Sequence, residues 1–194
     1  MRWGVPPERA MNTTVVLGIP IPSTDPIFLA IVGVHVLFGL AAVIAGVVAM
    51  LSKKGRGRHS NWGTLYFWFL FGVFVTMSVL SFRRWTENYH LFILGTLSFA
   101  SAYLGRLAAR RRWHQWATFH LSGMGASYVF MLTAFYVDNG KNLPGWRELP
   151  QIAFWLLPSV IGIPVILYSL FRHPLILALR MRRKTQRPWA KPRQ

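Results

Sequence analysis

The sequence predicts an all-α membrane protein with five transmembrane helices. Three observations carry that prediction: long apolar segments, a large basic excess, and the placement of that excess between the segments. Of 194 residues, 53% are hydrophobic, yet 22 are Lys or Arg against 5 Asp or Glu, and mean hydropathy is +0.35. In a soluble chain a net charge of +17 would suggest nucleic-acid binding by basic residues on a solvated surface. Here the cations interrupt apolar runs, as the positive-inside rule requires of a membrane protein, so no nucleic-acid partner is expected. A chain this short has no second layer of protein to cover five helices that are apolar all round. Lipid is the remaining cover.

Residues 1–26 read as an external N-terminal segment. Val15 to Ile21 is a short apolar stretch broken by Gly18 and Pro20, which does not make a cleavable signal, so the segment is expected to be retained. Either Met1 or Met11 can serve as the start. The membrane domain covers 27–171. About 20 residues of helix cross a hydrocarbon core, and the spans are expected at 27–51, 64–82, 89–108, 115–137 and 151–171. Pro158, Gly162 and Pro164 predict a kink in the fifth. The connection at 138–150 is turn-rich and places Trp146 at the interface.

Charge sets the expected orientation. Lys53, Lys54, Arg56 and Arg58 follow the first helix, Arg106 and Arg110 to Arg112 end the third, and eight Lys or Arg lie between Arg172 and Arg193. By alternation these regions share one side. All five acids, Glu8, Asp25, Glu87, Asp138 and Glu148, fall on the other. The expectation is a bacterial plasma membrane protein with its N-terminus outside and C-terminus inside. The tail, 172–194, then forms a basic cytoplasmic segment. A short helix over 175–184 followed by a Pro-rich end would attach it to anionic lipid, at ~1 kcal/mol per basic residue near the surface.

The first four helices read as two copies of one hairpin, 27–82 and 89–137. His35 and His59 are 24 residues apart, and so are His90 and His114; a shift of 55 overlays the pairs. This implies a four-helix bundle with the fifth helix added outside it. Small residues at helical spacing support close packing: Gly39, Ala42 and Gly46 on the first helix, Ser101 and Gly105 on the third, Gly123 and Ser127 on the fourth.

Ionisable groups inside a membrane are costly and call for a reason. With no cysteine in the chain, imidazole is the main metal-binding group, and thiolate catalysis, disulfides and Cys-ligated clusters are excluded. The candidate cofactor-binding residues are His35 and His90 near the outer face and His59 and His114 near the inner one, with His120 as the substitute inner ligand. Such pairs suit two six-coordinate haems b and electron transfer between the faces. Two other readings stand beside it: the histidines as interfacial or cross-helix hydrogen-bonding residues, or as a metal or quinone site. His173 reads as interfacial. No HExxH, phosphate-loop or GxSxG motif occurs, and no catalytic residue is singled out.

The stretch from His35 through the basic loop to His59-Ser-Asn-Trp-Gly63-Thr-Leu-Tyr66, with His90 and the Arg110-Arg-Arg-Trp-His114 run, resembles a family of bacterial predicted membrane proteins classed only as a domain of unknown function. The resemblance covers roughly 27–137. That family commonly has a basic residue after the loop histidine and another after the glycine, where this chain has Ser60 and Thr64. It implies the four-helix unit with its histidines and no particular activity. The layout is also similar in architecture to the transmembrane di-haem cytochromes b. Two functions are therefore expected: a haem-b electron carrier working with a quinone or redox partner, or a non-catalytic membrane subunit or scaffold of a larger complex with a lipid-binding tail.

Overall fold

The structure is a computed structural model that describes residues 14–16, 19–21, 25–54, 57–172 and 176. The expected tail helix lies outside the described residues except for one position, and His173, Met1 and Met11 lie outside them as well. Two short strands, β1 (Thr14–Val16) and β2 (Ile19–Ile21), pair antiparallel with Val15 opposite Pro20. The rest is helical: α1 (Pro26–Leu51), α2 (Arg58–Arg83), α3 (Trp85–Arg111), α4 (Trp116–Asn139) and α5 (Gln151–Arg172).

Local chemistry sets the helix ends. Asp25 caps α1 by accepting from Ile27 N at 2.9 Å, with Pro26 opening the helix. A proline there needs no N–H and is already turned for the helix. At the other end Ser52 Oγ donates to Val48 O at 2.6 Å. Gly57, at φ 103°, turns the chain into α2, a backbone conformation that costs glycine little. Only Arg84 separates α2 from α3. Helices α2 and α3 begin before their apolar runs, because the backbone continues to satisfy its hydrogen bonds through the polar interface.

Four of the helices, α1, α2, α3 and α5, are long and apolar enough to cross a membrane. The expected five-helix count therefore holds for the fold, while α4 has no apolar stretch as long as those of the other four. Its position explains this. Along α4 only Phe119, Phe135 and Asp138 are exposed between Trp116 and Asp138, so it is shielded by protein and does not need apolar side chains all round. In contrast α1 and α5 present broad apolar faces, with Leu37 69% and Val160 65% exposed.

One core joins the first four helices: Ala42 and Ala45 of α1, Tyr66, Phe67 and Leu70 of α2, Ala102 of α3 and Met131 of α4. Polar bonds fix their register. Ser127 Oγ donates to Met124 O at 2.7 Å and therefore accepts from Tyr66 OH at 2.8 Å. Ser98 Oγ donates to Ser127 O at 2.7 Å, and Tyr128 OH reaches Val43 O at 3.2 Å. Each such bond between membrane helices is worth ~1 kcal/mol.

The closest approach is between α3 and α4. A Cβ on Gly123 would lie 2.7 Å from Ser101 O and 2.9 Å from Gly105 Cα, so the two backbones touch where both side chains are hydrogen. The outer helix uses the same device: Ile166 of α5 lies over Gly125, and Val129 of α4 over Gly162. α5 remains one helix across Pro158 and Pro164.

Antiparallel packing gathers Lys53, Lys54, Arg58 and Arg110 to Arg112 at one end, the basic end. At the opposite, acidic end two arginines are offset locally: Arg83 pairs with Asp25 at 2.9 Å and Arg84 with Glu87 at 2.6 Å.

Replacing Gly123 with Leu forces the α3 and α4 backbones apart, and overpacking of this kind costs ~1–3 kcal/mol. Gly63→Ala is the control: its Cβ meets nothing within 4 Å. Thermal unfolding in detergent should show a clear drop for Gly123→Leu and an equal or higher midpoint for Gly63→Ala.

Candidate functional site: the histidines at the two ends of the bundle

At the basic end, His59 sits in the first turn of α2 and donates from Nδ1 to Ala49 O at 2.8 Å. Ala49 lies in the last turn of α1, where carbonyls lack helical partners, so the imidazole completes that helix end. His120, near the start of α4, donates from Nδ1 to Gly105 O at 3.1 Å. This second contact depends on the glycine approach just described, which brings α4 close enough to reach an α3 carbonyl.

A carbonyl can only accept, so both rings carry their proton on Nδ1 when neutral, and Nε2 holds the lone pair. The two rings meet edge to face, with centroids 6.3 Å apart and planes at 86°. Nearby, the Arg106 guanidinium donates to Thr64 Oγ1 at 3.3 Å and lies 4.7 Å from the centre of the Phe67 ring. Lys54 donates to Met50 O at 2.7 Å, and partial burial draws its ammonium below the ordinary lysine pKa.

The remaining histidines have different surroundings. His35, in α1, lies 2.9 Å from Thr76 Oγ1 of α2 through Nδ1. Thr76 directs its own proton to Gly72 O at 2.7 Å, so the histidine is the donor. His90, in α3, has Trp155 of α5 at a centroid distance of 6.0 Å and shares a cavity with Asp138. His114 lies exposed in the α3–α4 connection.

Thus His59 and His120 are brought together, the latter being the substitute inner ligand of the sequence reading. His35 and His90 turn to partners on different helices, α2 and α5, rather than to each other. Among the described residues no group of three or more His, Cys, Asp or Glu side chains converges on a metal position. Thr76, Trp155 and the Ala49 and Gly105 carbonyls escaped the sequence reading; a carbonyl leaves no mark in the sequence, and Thr76 is one of many hydroxyls in apolar surroundings. Comparison with family models, curated proteins and solved structures found no match.

Diethyl pyrocarbonate should modify His114 well before His35. Peptide mapping by mass spectrometry after brief treatment checks this, and equal rates would contradict the placement of the two rings.

Proposed function

We propose that the chain is a five-span protein of a bacterial plasma membrane, N-terminus outside and C-terminus cytoplasmic, that holds one haem b at its cytoplasmic end through His59 and His120. The single observation that carries the cofactor is the proximity of these two imidazoles, drawn from α2 and α4, at a centroid distance of 6.3 Å. His59 and His120 are the residues that would hold the haem, through the Nε2 atoms that their Nδ1–carbonyl bonds leave as acceptors. A pair of histidines without a third protein ligand is the donor set that a haem would take from the chain. The Nδ1–H bonds to Ala49 O and Gly105 O fix the orientation and tautomer of each ring, as outer-sphere partners of ligating histidines do. The basic end also complements the propionates of a b-type haem.

A bound haem would supply a one-electron couple. The chain's own residues would orient it and set its field, and a quinone or redox protein would exchange electrons at that end. The outer pair does not fit a second haem, because His35 is directed to Thr76 and His90 to Trp155.

The spanning reading takes α1, α2, α3 and α5 on their apolarity and α4 on its antiparallel place between α3 and α5. The two-hairpin reading gains support from a shared device: in each hairpin a histidine of the second helix holds a carbonyl near the end of the first. That device also favours a second function, a non-catalytic membrane subunit in which these histidines only fasten helices.

A reduced-minus-oxidised spectrum of protein from haem-replete cells separates the two. The first reading expects Soret and α-band signals that persist in His114→Ala and vanish in His59→Ala and His120→Ala. A colourless, folded preparation would leave the subunit reading. For orientation, a reporter fused after Gln194 should be active only in the cytoplasm; periplasmic activity would reverse the topology.

A further inference from the structure

At the acidic end, α3, α4 and α5 surround an open cavity of about 600 Å3 lined by Tyr89, His90, Val137, Asp138, Gln151 and Trp155. Its lining combines one carboxylate with an imidazole, an amide and two aromatic rings that each carry a donor. An ionised Asp138 only accepts hydrogen bonds. Gln151 donates through Nε2 to Val137 O at 3.4 Å, which identifies Oε1 as its acceptor atom. Tyr89 and Trp155 both lie against His90, at centroid distances of 5.6 and 6.0 Å.

Asp138 takes part in neither ion pair among the described residues; its Oδ2 accepts from Asn139 Nδ2 at 3.2 Å. Lys141, close in sequence, is directed elsewhere: its ammonium donates to Leu149 O at 2.6 Å and Arg147 O at 3.2 Å and lies over the Phe154 ring. A carboxylate beside aromatic faces is the chemistry that captures an ammonium group. Oxygen acceptors at Asp138 and Gln151 further favour an ammonium that carries N–H over a quaternary one. The cavity lies at the helix ends with Trp85, Tyr89 and Trp155, the depth at which amphipathic rings meet lipid headgroups.

We propose that this cavity binds a primary ammonium group, supplied by the headgroup of a phosphatidylethanolamine lipid in the leaflet at the acidic end. The lipid source rests on the membrane-spanning reading; nothing in it depends on the haem.

The test uses the full chain in nanodiscs of phosphatidylglycerol alone, or mixed with phosphatidylethanolamine or phosphatidylcholine. The ethanolamine lipid should raise the unfolding midpoint by several degrees over the other two compositions, and Asp138→Asn should abolish the difference while His114→Ala retains it. Equal midpoints in all three compositions, or a full ethanolamine effect in Asp138→Asn, overturn the proposal. Free phosphoethanolamine added to phosphatidylglycerol discs separates the sources: a matching shift assigns the site to a soluble amine, and no shift beside an intact lipid effect assigns it to lipid. Should Asp138→Asn fail to fold, native mass spectrometry of the wild type from mixed lipid decides. Several-fold retention of the ethanolamine lipid supports the site, and no enrichment overturns it. Recovery outside the membrane fraction would defeat the spanning reading instead, leaving the free-amine measurement to judge the cavity.

Discussion

The arrangement of this bundle depends on the backbone contact between Gly105 of α3 and Gly123 of α4. Between membrane helices there is little hydrophobic drive to associate, so close packing and interhelical hydrogen bonds must supply the affinity. At Gly123 a single added carbon would come within 3 Å of the neighbouring backbone. Because no side chain intervenes, His120 reaches the Gly105 carbonyl and Ser98 reaches the Ser127 carbonyl. The α3–α4 pair is thereby held in one register, and Tyr66 and Tyr128 link α2, α4 and α1 around it.

This makes α4 the interior helix, and its composition follows from its neighbours. A helix surrounded by protein can carry serine, glycine and histidine, provided their polar atoms find partners. Ser127 illustrates the point: its hydroxyl both donates and accepts, while its carbonyl takes a second donor. Conversely, α1 has no such polar network along its exposed face, where Leu37 and Leu40 meet what surrounds the bundle. Apolarity and length therefore mark four helices as able to cross a membrane, and α4 packs between two of them, α3 and α5.

The helices were legible because apolar length and charge placement are properties of contiguous sequence. The small-residue faces at Gly105 and Gly123 were legible too, through helical spacing. The pairing of histidines was less so. The equal spacing of His35–His59 and His90–His114 selects His114 as the partner of His59, but the left-handed residues Arg112 and Gln115 make 112–115 a connection, leaving His114 outside the helix. His120, a turn further on, takes its place. His35 could not be matched to Thr76 from sequence, since that contact depends on the relative rotation and height of α1 and α2. The same holds for the meeting of His90, Asp138 and Trp155, drawn from three helices.

The most direct test of the central claim, that the basic end joins His59 to His120, uses the absence of cysteine from the chain. Cysteines introduced in pairs at 59 and 120, or at 59 and 114, can be treated in native membranes with a short bifunctional thiol reagent and mapped by mass spectrometry. The account predicts rapid linkage of 59 to 120 and little of 59 to 114. Preferential linkage of 59 to 114 would contradict it.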